Sequence, residues 1–340
     1  MEKGSKPVKA YKGFNKHMQC TPNGKVFQYE IGKEYKEDEA DLCHCGFHAC
    51  ENPLDVLSYY DNIDDKFCEV ELDQIDLNRK EDSKICGKKI KIGTEIGFLG
   101  LFKAGIEWIK NKTIFKEEDF KNLPSENYAQ IGSSENYAQI SSSGHSTKIN
   151  SSGDNAQIGS SGYSTKISSS GNYAMIGSFG NYAMISSSGD YAMIGSSENY
   201  AQIGSSGYSA KIGSSGNYAQ IGSSGDDAQI GSFGNYAMIG SSGYSAKIGS
   251  SGNDAKISSS GDCAKISSSG NDCVIICAGR NSSAKAKIGS WITLAEWKYS
   301  EEKQNFIPFS VVTKQVDGIE IKEDVFYTLQ DGKFKELEQQ

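Results

Sequence analysis

Four residues that could bind a metal ion or act as nucleophiles cluster between positions 43 and 50. Cys43, Cys45, His48 and Cys50 place four soft ligands within eight residues, and Cys20 is a further thiol. Zinc prefers thiolate and imidazole ligands, but its usual sites combine Cys-x-x-Cys pairs, whereas this spacing is Cys-x-Cys-x-x-His-x-Cys. Because four ligands from one short loop are geometrically awkward, the spacing favours buried free thiols over zinc. We predict no metal and no cofactor, and keep these residues as weak metal candidates.

A second candidate site combines aromatic side chains with the same imidazole. Tyr11, Tyr29 and the stretch Gly46-Phe47-His48 resemble parts of small folds that bind nucleotide cofactors in a cleft. The sequence contains no serine nucleophile elbow, no phosphate-binding loop and no metalloprotease helix, so no catalytic set is complete. We therefore expect a non-enzymatic protein. Two alternatives stay open, a nucleotide-type small-molecule sequestering protein and an enzyme housed in the N-terminal domain.

The elements that position these residues adjoin a long internal repeat. A nine-residue unit recurs seventeen times without a gap over residues 126–278, with the consensus Gly-Asn-Tyr-Ala-Gln-Ile-Gly-Ser-Ser at residues 216–224. Position 6 is Ile in every unit, position 4 is Ala in fourteen, and position 8 is Ser in all but one. Constant residues at every second position predict a short strand whose positions 4, 6 and 8 point inward. A fixed short period indicates one unit stacked on itself.

Stacking is required because one short strand cannot bury its Ile alone. We predict two units per coil, which gives about eight and a half coils of eighteen residues from the seventeen units; one unit per coil is the alternative. The fold class is therefore mainly β, a two-sided parallel β-solenoid or β-roll. We expect Gly at position 1 to supply the positive φ of the corner. The inward Ser at position 8 is expected to hydrogen-bond corner backbone groups.

Two units per coil would align the outward side chains in ladders. Tyr residues at position 3 of alternate units would stack in four consecutive coils. The ladders agree with ordinary cross-strand stacking on a solvated sheet and also with an adhesive surface for a partner. We predict a protein partner or self-association, with a small molecule as an alternative. The candidate binding residues on the solenoid are Tyr182, Tyr200, Tyr218, Tyr236, Met184, Met238, Phe179 and Phe233.

The amino-acid composition narrows the classes of partner and the cellular compartment that we expect. The net charge is −8 and the repeats contain six Lys and no Arg, so the clustered basic surface of a nucleic-acid-binding protein is missing. The nine Cys are an odd number, and the N-terminus has no apolar run. These features favour free thiols in a reducing cytoplasm over export. No segment is apolar enough to span a membrane, so we predict a cytoplasmic protein without a nucleic-acid or membrane partner.

The repeat resembles two known repeat types. The pattern Ala-x-Ile-Gly-Ser-x-Gly is similar to the repeats of trimeric adhesin heads, which form parallel β-rolls, and the nine-residue period is that of calcium-binding β-rolls. Calcium is disfavoured because Asp occupies position 2 in only four units, which leaves too few oxygen ligands for a row of sites. Ice binding is also disfavoured, since the outward Tyr, Lys and Gln form no regular Thr rows.

The flanking regions differ from the repeat and define three predicted domains. These are an α+β N-terminal domain at residues 1–125, the solenoid at 126–290 and a β-rich C-terminal cap at 291–340. Asp317-Gly318 and Asp331-Gly332 predict hairpin turns in the cap, and the outward Val274 and Ile276 predict that another element covers the end of the solenoid. The elements predicted in the N-terminal domain are strands at 9–14, 25–31, 67–72 and 84–92, a short helix at 54–60 capped by Asn52, an amphipathic helix at 99–110 and a polar connection at 116–123.

Short motifs in both flanks resemble one family. The N-terminal motifs are Tyr11-Lys12-Gly13-Phe14, the stretch Gly46-Phe47-His48-Ala49-Cys50 and Asn52-Pro53-Leu54-Asp55-Val56. The C-terminal motifs are Val316-Asp317-Gly318-Ile319-Glu320-Ile321-Lys322 and Phe326-Tyr327-Thr328-Leu329 with Asp331-Gly332-Lys333-Phe334. Together they resemble an uncharacterised family that is common in bacteriophages and prophages and carries Gly/Ser/Ala repeats between its flanks. The resemblance implies a phage context and no particular activity.

Overall fold

The computed structural model of the protein describes residues 6–42, 44–76, 83–114 and 126–337. It contains two compact units, Met1–Trp108 and Ile109–Gln340. The polar connection predicted at residues 116–123 lies outside the described residues.

The first unit is a small domain built on an antiparallel sheet that closes on itself. The strands are β1 (Val8–Phe14), β2 (Gln19–Cys20), β3 (Phe27–Gln28), β4 (Glu34–Lys36), β5 (Phe47–Cys50), β6 (Lys66–Ile75) and β7 (Lys84–Glu95). Five of them pair in the order β4-β7-β5-β1-β6, and β7 also pairs with β6, while β2 and β3 form a separate pair. Two short 3-10 helices span Pro22–Gly24 and Pro53–Ser58.

Most elements of this domain follow the predicted pattern. The strands predicted at 9–14, 67–72 and 84–92 correspond to β1, β6 and β7. The strand predicted at 25–31 is wrong in extent, because a 3-10 turn ends at Gly24 and only Phe27–Gln28 pair. The helix predicted at 54–60 is a 3-10 helix, and Asn52 caps it as expected by accepting the N–H of Leu54 at 3.1 Å.

The amphipathic helix is α1, which spans Gly97–Thr113. Leu101, Phe102 and Ile106 are buried, which confirms the apolar face predicted from their spacing. A Cβ added at Gly105 would lie 2.6 Å from the Leu54 side chain, so this glycine lets the helix pack directly on the residues after the Asn52 cap.

The second unit is a parallel β-solenoid of about nine turns. Each nine-residue unit forms one four-residue strand at positions 5–8, and successive units alternate between two facing sheets. The first sheet contains β8 (Gln130–Ser133), β10 (Lys148–Ser151), β12 (Lys166–Ser169), β14 (Met184–Ser187), β16 (Gln202–Ser205), β18 (Gln220–Ser223), β20 (Met238–Ser241), β22 (Lys256–Ser259) and β24 (Val274–Cys277). The second sheet contains β9 (Gln139–Ser142), β11 (Gln157–Ser160), β13 (Met175–Ser178), β15 (Met193–Ser196), β17 (Lys211–Ser214), β19 (Gln229–Ser232), β21 (Lys247–Ser250) and β23 (Lys265–Ser268).

The register confirms two units per coil. Ile203 pairs with Ile185 and Ile221, eighteen residues before and after it in the first sheet. Ile212 pairs with Ile194 and Ile230 in the same way in the second sheet. The Ile of position 6 and the Ala of position 4 form one continuous buried cluster along the solenoid. Positions 4, 6 and 8 therefore point inward, as their constancy predicted.

The corner differs from the prediction in how it uses glycine. The residue with positive φ is position 3 in all seventeen units, at 51° to 63°, although Tyr, Ser, Asn, Asp or Cys stands there. Gly at position 1 is needed for a different reason. A Cβ added at Gly216 would lie 1.9 Å from the carbonyl oxygen of Glu198 in the preceding coil. Close backbone approach between coils, rather than φ, therefore selects glycine.

Asn and Asp at position 2 form a hydrogen-bonded ladder along each corner. The Oδ1 of Asn217 accepts the N–H of Asn235, and the Oδ1 of Asp190 accepts the N–H of Tyr208, both at 2.8 Å and both eighteen residues on. Twelve such bonds have lengths of 2.7–3.0 Å. The four position-2 Asp side chains, Asp154, Asp190, Asp226 and Asp262, thus stabilise the corner by accepting backbone N–H groups.

The inward Ser of position 8 makes the predicted corner bonds in only a few coils. Ser142 and Ser160 accept the N–H of Gly144 and Gly162 at 3.3 and 3.2 Å. The Ser160 hydroxyl also lies 2.9 Å from that of Thr165, at position 4 of the next unit. Most units have Ala at position 4, which offers no such partner. Twelve position-8 hydroxyls are buried with no hydrogen-bond partner among the described residues: Ser151, Ser169, Ser178, Ser187, Ser196, Ser205, Ser214, Ser223, Ser232, Ser241, Ser250 and Ser259.

The coils continue past the last regular unit into a C-terminal cap. β25 (Ser283–Lys285) adds to the second sheet, and β26 (Trp291–Ser300) pairs in parallel with β24 in the first sheet. β27 (Asn305–Gln315) then pairs antiparallel with β26. β28 (Tyr327–Gln330) and β29 (Lys333–Glu336) extend the second sheet.

One of the two predicted hairpins is confirmed. Asp331-Gly332 joins β28 to β29, and both residues have positive φ, as a two-residue hairpin turn requires. The hairpin at Asp317-Gly318 is wrong. The Asp317 carboxylate accepts the N–H groups of Ile319, Glu320 and Ile321, so this side chain folds a compact turn in place of a strand.

Candidate functional site

The two sheets of the solenoid differ in the exposure of their outward residues. In the first sheet, position 5 is exposed in every coil from Gln130 to Val274. In the second sheet, Met175, Lys211 and Gln229 at the same position are buried. The end of α1 contributes to this burial, because Ile109 lies 3.3 Å from where a Cβ of Gly195 would be. The first sheet is therefore the open face of the solenoid.

A shallow groove runs along the open face, parallel to the solenoid axis. Its floor is position 7 of successive first-sheet units, which is Ser or Gly except at Ile276, and one wall is position 9, which is Ser except at Ala278. The groove has a volume of about 680 Å³. A Cβ added at Gly222 would meet nothing within 4 Å, so the floor is open to an incoming chain. We call this feature the axial groove; its floor residues are Ser186, Gly204, Gly222, Gly240, Ser258 and Ile276.

Apolar residues lie at the C-terminal end of the axial groove. Val274, Ile276 and Trp291 are 42%, 44% and 46% exposed. The predicted cover at the end of the solenoid is β26, which pairs with the edge strand β24, but it does not bury the side chains of Val274 and Ile276. β26 continues the first sheet beside β24, so Val274 and Trp291 are outward-facing neighbours, and the cap leaves them open. Clustered exposed apolar side chains of this kind mark interaction surfaces.

The predicted tyrosine ladder is confirmed. Tyr182, Tyr200, Tyr218 and Tyr236 stack with ring centroids 4.8–5.0 Å apart and planes within 8°. Each ring is about half exposed. A second stack joins Tyr173 and Tyr191 at 5.0 Å on the other corner. The ladders follow from the eighteen-residue coil, which places position 3 of alternate units above one another.

The other candidate binding residues of the solenoid are divided between the two sheets. Met184 and Met238 are 42% and 44% exposed on the first sheet. Phe179 is buried, with the Lys110 ammonium 5.6 Å from its ring, and Phe233 is half-buried. Phe179 therefore does not contribute to an exposed surface.

The N-terminal domain contains a cavity of about 780 Å³. It brings together Tyr11, Tyr29 and His48, the three residues proposed from sequence as an N-terminal site. Tyr11 is on β1 and His48 is on β5. Tyr59 and Tyr60, which follow the 3-10 helix at Pro53–Ser58, also line the cavity. The volume is in the range of small-molecule sites.

Lys12 provides a buried cation in the cavity wall, a feature that sequence reasoning missed. It is 8% exposed, and its Nζ donates to the His48 carbonyl oxygen at 3.0 Å. The ammonium also lies 5.4 Å and 5.7 Å from the ring centroids of Phe14 and Tyr29. The signal was present in the motif Tyr11-Lys12-Gly13-Phe14, since alternation on β1 turns Lys12 to the same face as the apolar Phe14.

The phenols around the cavity are held in their neutral form. Burial, and then the nearby Cys20, raise the pKa of Tyr29 and of Tyr60 well above the usual range. The Tyr60 hydroxyl donates to Cys20 Sγ at 3.0 Å. Burial and then Glu69 raise the pKa of Tyr11. These rings therefore contribute aromatic surface and hydroxyl groups without adding negative charge.

The Cys/His cluster does not assemble a metal site in the part of the chain that the structure describes. Cys45 is half-buried, Cys50 is buried, and His48 lines the cavity; Cys43 lies outside the described residues. Among residues 6–42, 44–76, 83–114 and 126–337, no group of three His, Cys, Asp or Glu side chains could hold a metal ion. Burial raises the pKa of the adjacent Cys86 thiol to about 12, so it remains protonated.

Comparison with known proteins finds a family model that matches part of the chain. A family model described as a domain of unknown function (DUF7666) matches residues 8–104, which is 97 of the 340 residues. The match contains the cavity-lining residues and ends inside α1, before the solenoid begins. No curated protein and no solved structure matches the chain. In the described residues, no helix is long and apolar enough to cross a membrane.

Proposed function

We propose that the solenoid is a protein-interaction scaffold that binds an extended segment of a partner protein in the axial groove. The observation that carries the proposal is the contrast between the sheets: position 5 is exposed in every coil of the first sheet, whereas in the second sheet it is buried or half-buried in every coil after the first. The open face ends in the exposed apolar side chains of Val274, Ile276 and Trp291, and clusters of this kind mark interaction surfaces.

The dimensions of the groove suit an extended chain. From Ser186 to Ile276 the floor crosses five coil spacings, which is roughly 24 Å at ~4.8 Å per spacing. A fully extended segment of about seven residues has this length. The small floor allows a partner backbone to approach closely, and the Ser hydroxyls of position 9 can hydrogen-bond it. The apolar end provides exposed apolar surface that a partner's hydrophobic side chain can cover.

The proposal includes the cellular setting expected from sequence. We place the protein in the cytoplasm of a phage-infected or prophage-bearing cell and assign the solenoid no enzymatic role. The resemblance of the flanking motifs to phage proteins, the odd number of Cys and the absence of an apolar run near the N-terminus support this setting. Self-association through the open face is the alternative occupant of the groove.

A pair of glycine variants tests the proposal. Gly222→Tyr would fill the middle of the groove, whereas Gly132→Tyr adds the same side chain in the first coil, outside it; neither Cβ would meet an atom within 4 Å. We expect partners captured with the wild-type protein from producing cells to be lost at least tenfold by Gly222→Tyr and retained by Gly132→Tyr. Sedimentation of both variants identifies self-association. Equal capture by the two variants, with equal sedimentation, would refute the proposal.

A further inference from the structure

We propose that the cavity of the N-terminal domain is a binding site for a nucleoside phosphate. This site is distinct from the axial groove, and the inference is independent of the protein interaction proposed above. It rests on the charge, the aromatic surface and the shape of the cavity.

The charge of the cavity is opposite to that of the whole chain. Lys12, Lys25 and Lys84 line it, and Glu37 is the one carboxylate among its lining residues. The Glu37 carboxylate already accepts the N–H of Gly46 at 2.9 Å. In a chain with a net charge of −8, three lysines and one carboxylate lining one cavity favour an anionic ligand.

Lys12 is the residue that points most directly to an anion. An ammonium has three donors, and among the described residues Lys12 uses one of them, toward the His48 carbonyl oxygen. Burying a cation that lacks a carboxylate partner is costly. A phosphate in the cavity would accept the remaining donors and neutralise the charge, which gives this otherwise unfavourable placement a function.

Aromatic rings supply the second half of the site. Tyr11, Phe27, Tyr29 and Tyr59 all line the cavity. The rings of Phe27 and Tyr29 pack against each other at 4.7 Å, and Tyr29 is 5% exposed, so the Tyr59 ring, which is 46% exposed, is the one best placed to contact a flat ligand group. At the rim, the Lys84 ammonium lies 4.4 Å from the centroid of the Tyr59 ring. A base that stacks on aromatic rings and a phosphate held by lysine together describe a nucleotide.

Two glycines shape the cavity at close quarters. A Cβ at Gly13 would lie 2.5 Å from the Tyr60 ring, so the ring packs directly on the backbone of β1. Gly46 has a φ of +86°, and its Cβ would lie 2.8 Å from Cys86 Sγ and 2.9 Å from Ala40. Both positions require glycine, which explains the Gly in each of the two motifs that contribute Lys12 and His48.

Calorimetric titration of the full chain tests the inference. The ligands are AMP, ATP, GMP, GTP, CMP and UMP, with the corresponding nucleosides and inorganic phosphate as separate arms. We expect at least one nucleotide to bind, and its nucleoside and free phosphate to bind at least tenfold more weakly. Binding of no nucleotide at millimolar concentration overturns the inference. Nucleoside binding as tight as that of the nucleotide also overturns it, because the lysines would then have no role.

Variants locate the binding in this cavity. Lys12→Met keeps the buried stem and removes the charge, and Tyr59→Ser removes an exposed ring at the rim; either is expected to weaken nucleotide binding at least tenfold. Lys9→Met is the matched control, because Lys9 is on the same strand but pairs with Glu69 outside the cavity. If Lys12→Met fails to fold, Tyr59→Ser decides the question. Nucleotide affinity within tenfold of wild type in every folded cavity variant contradicts the assignment.

Discussion

Position 1 of the repeat illustrates a residue choice whose reason is visible only in three dimensions. Gly stands there in fourteen of seventeen units, and sequence reasoning attributed this to positive φ. The structure assigns positive φ to position 3 and close contact with the preceding coil to position 1. The three units without Gly at position 1 have Glu. Glu126 and Glu135 belong to the first coil and have no preceding coil to contact, and Glu198 is the one exception within the stack. The distance between coils cannot be inferred from the sequence of one unit. The sequence therefore showed that position 1 requires glycine, but not that contact with the preceding coil is the reason.

Two glycine-to-alanine variants separate these causes. The Cβ of Gly207→Ala would lie 2.0 Å from the carbonyl oxygen of Gly189, whereas that of Gly222→Ala would meet nothing. We expect Gly207→Ala to destabilise the solenoid by about 1–3 kcal/mol, as overpacking does. Gly222→Ala should be neutral or stabilising, because alanine loses less backbone entropy on folding. Thermal unfolding followed by circular dichroism compares them; equal melting temperatures would contradict the close-contact explanation.

The buried serines at position 8 give a second contrast. Ser205 has no hydrogen-bond partner among the described residues, while Ser160 contacts Thr165 and Gly162. An unsatisfied buried hydroxyl costs roughly 1–3 kcal/mol, so Ser205→Ala is expected to raise the melting temperature. Ser160→Ala should lower it, since Thr165 would lose a partner. If Ser205→Ala lowers the melting temperature as much as Ser160→Ala, the Ser205 hydroxyl is hydrogen-bonded and the explanation is wrong.

Asp262, near the C-terminal end of the solenoid, is expected to make the stability of the protein depend on pH. Its hydrogen bond with the Arg280 guanidinium, at 2.6 Å, lowers the pKa of the Asp262 carboxyl below its usual value. Folding lowers the pKa of Asp262, so the ionised carboxylate stabilises the folded state. This stabilisation is fully present above the pKa of the unfolded chain, about 3.9. It is lost as pH falls through the lower pKa of the folded state. Asp262→Asn should therefore be less stable than wild type at pH 6, and the difference should shrink below pH 4. A stability difference between wild type and Asp262→Asn that grows as pH falls would contradict this explanation.

At the scale of secondary-structure elements, prediction succeeded where periodicity was strong and failed where one side chain decided the fold. The solenoid strands, β1, β6, β7 and α1 were all predicted, because burial imposes a period of two or 3.6 on their sequences. The turn at Asp317 depends on one carboxylate that accepts three N–H groups. An Asp-Gly pair has the same appearance in either case, so the sequence could not distinguish this turn from a true hairpin at Asp331.

The tyrosine ladder is an element whose removal should leave the coils intact. Ser occupies position 3 in several natural units, including Ser209 and Ser245, with the same positive φ as Tyr. Replacing Tyr182, Tyr200, Tyr218 and Tyr236 together by Ser should therefore preserve the circular dichroism spectrum. We expect the variant to lose partner capture, because stacked aromatic rings present rigid contact area. Capture at the wild-type level would contradict a role of the tyrosine ladder in partner binding.

At the scale of the whole chain, the repeat, the short motifs and the three-dimensional structure each determine a different part of the prediction. The repeat alone was sufficient to predict the solenoid, because seventeen copies over-determine the coil. The candidate sites required three dimensions. Tyr11, Tyr29 and His48 were selected from motifs, but the cavity that unites them with Lys12 and Lys84 is formed by strands distant in sequence. The axial groove depends on which sheet is covered, a property that identical repeats cannot encode.

Site-specific photocrosslinking tests directly whether the open first sheet is the binding surface. Gln220 and Gln139 both occupy position 5 and are both exposed, but Gln220 is beside the groove and Gln139 is in the second sheet. A photoreactive amino acid at position 220 should crosslink a partner, or a second copy of the chain, in producing cells, and the same group at position 139 should not. Equal crosslinking at both positions, or crosslinking at position 139 alone, would contradict the account.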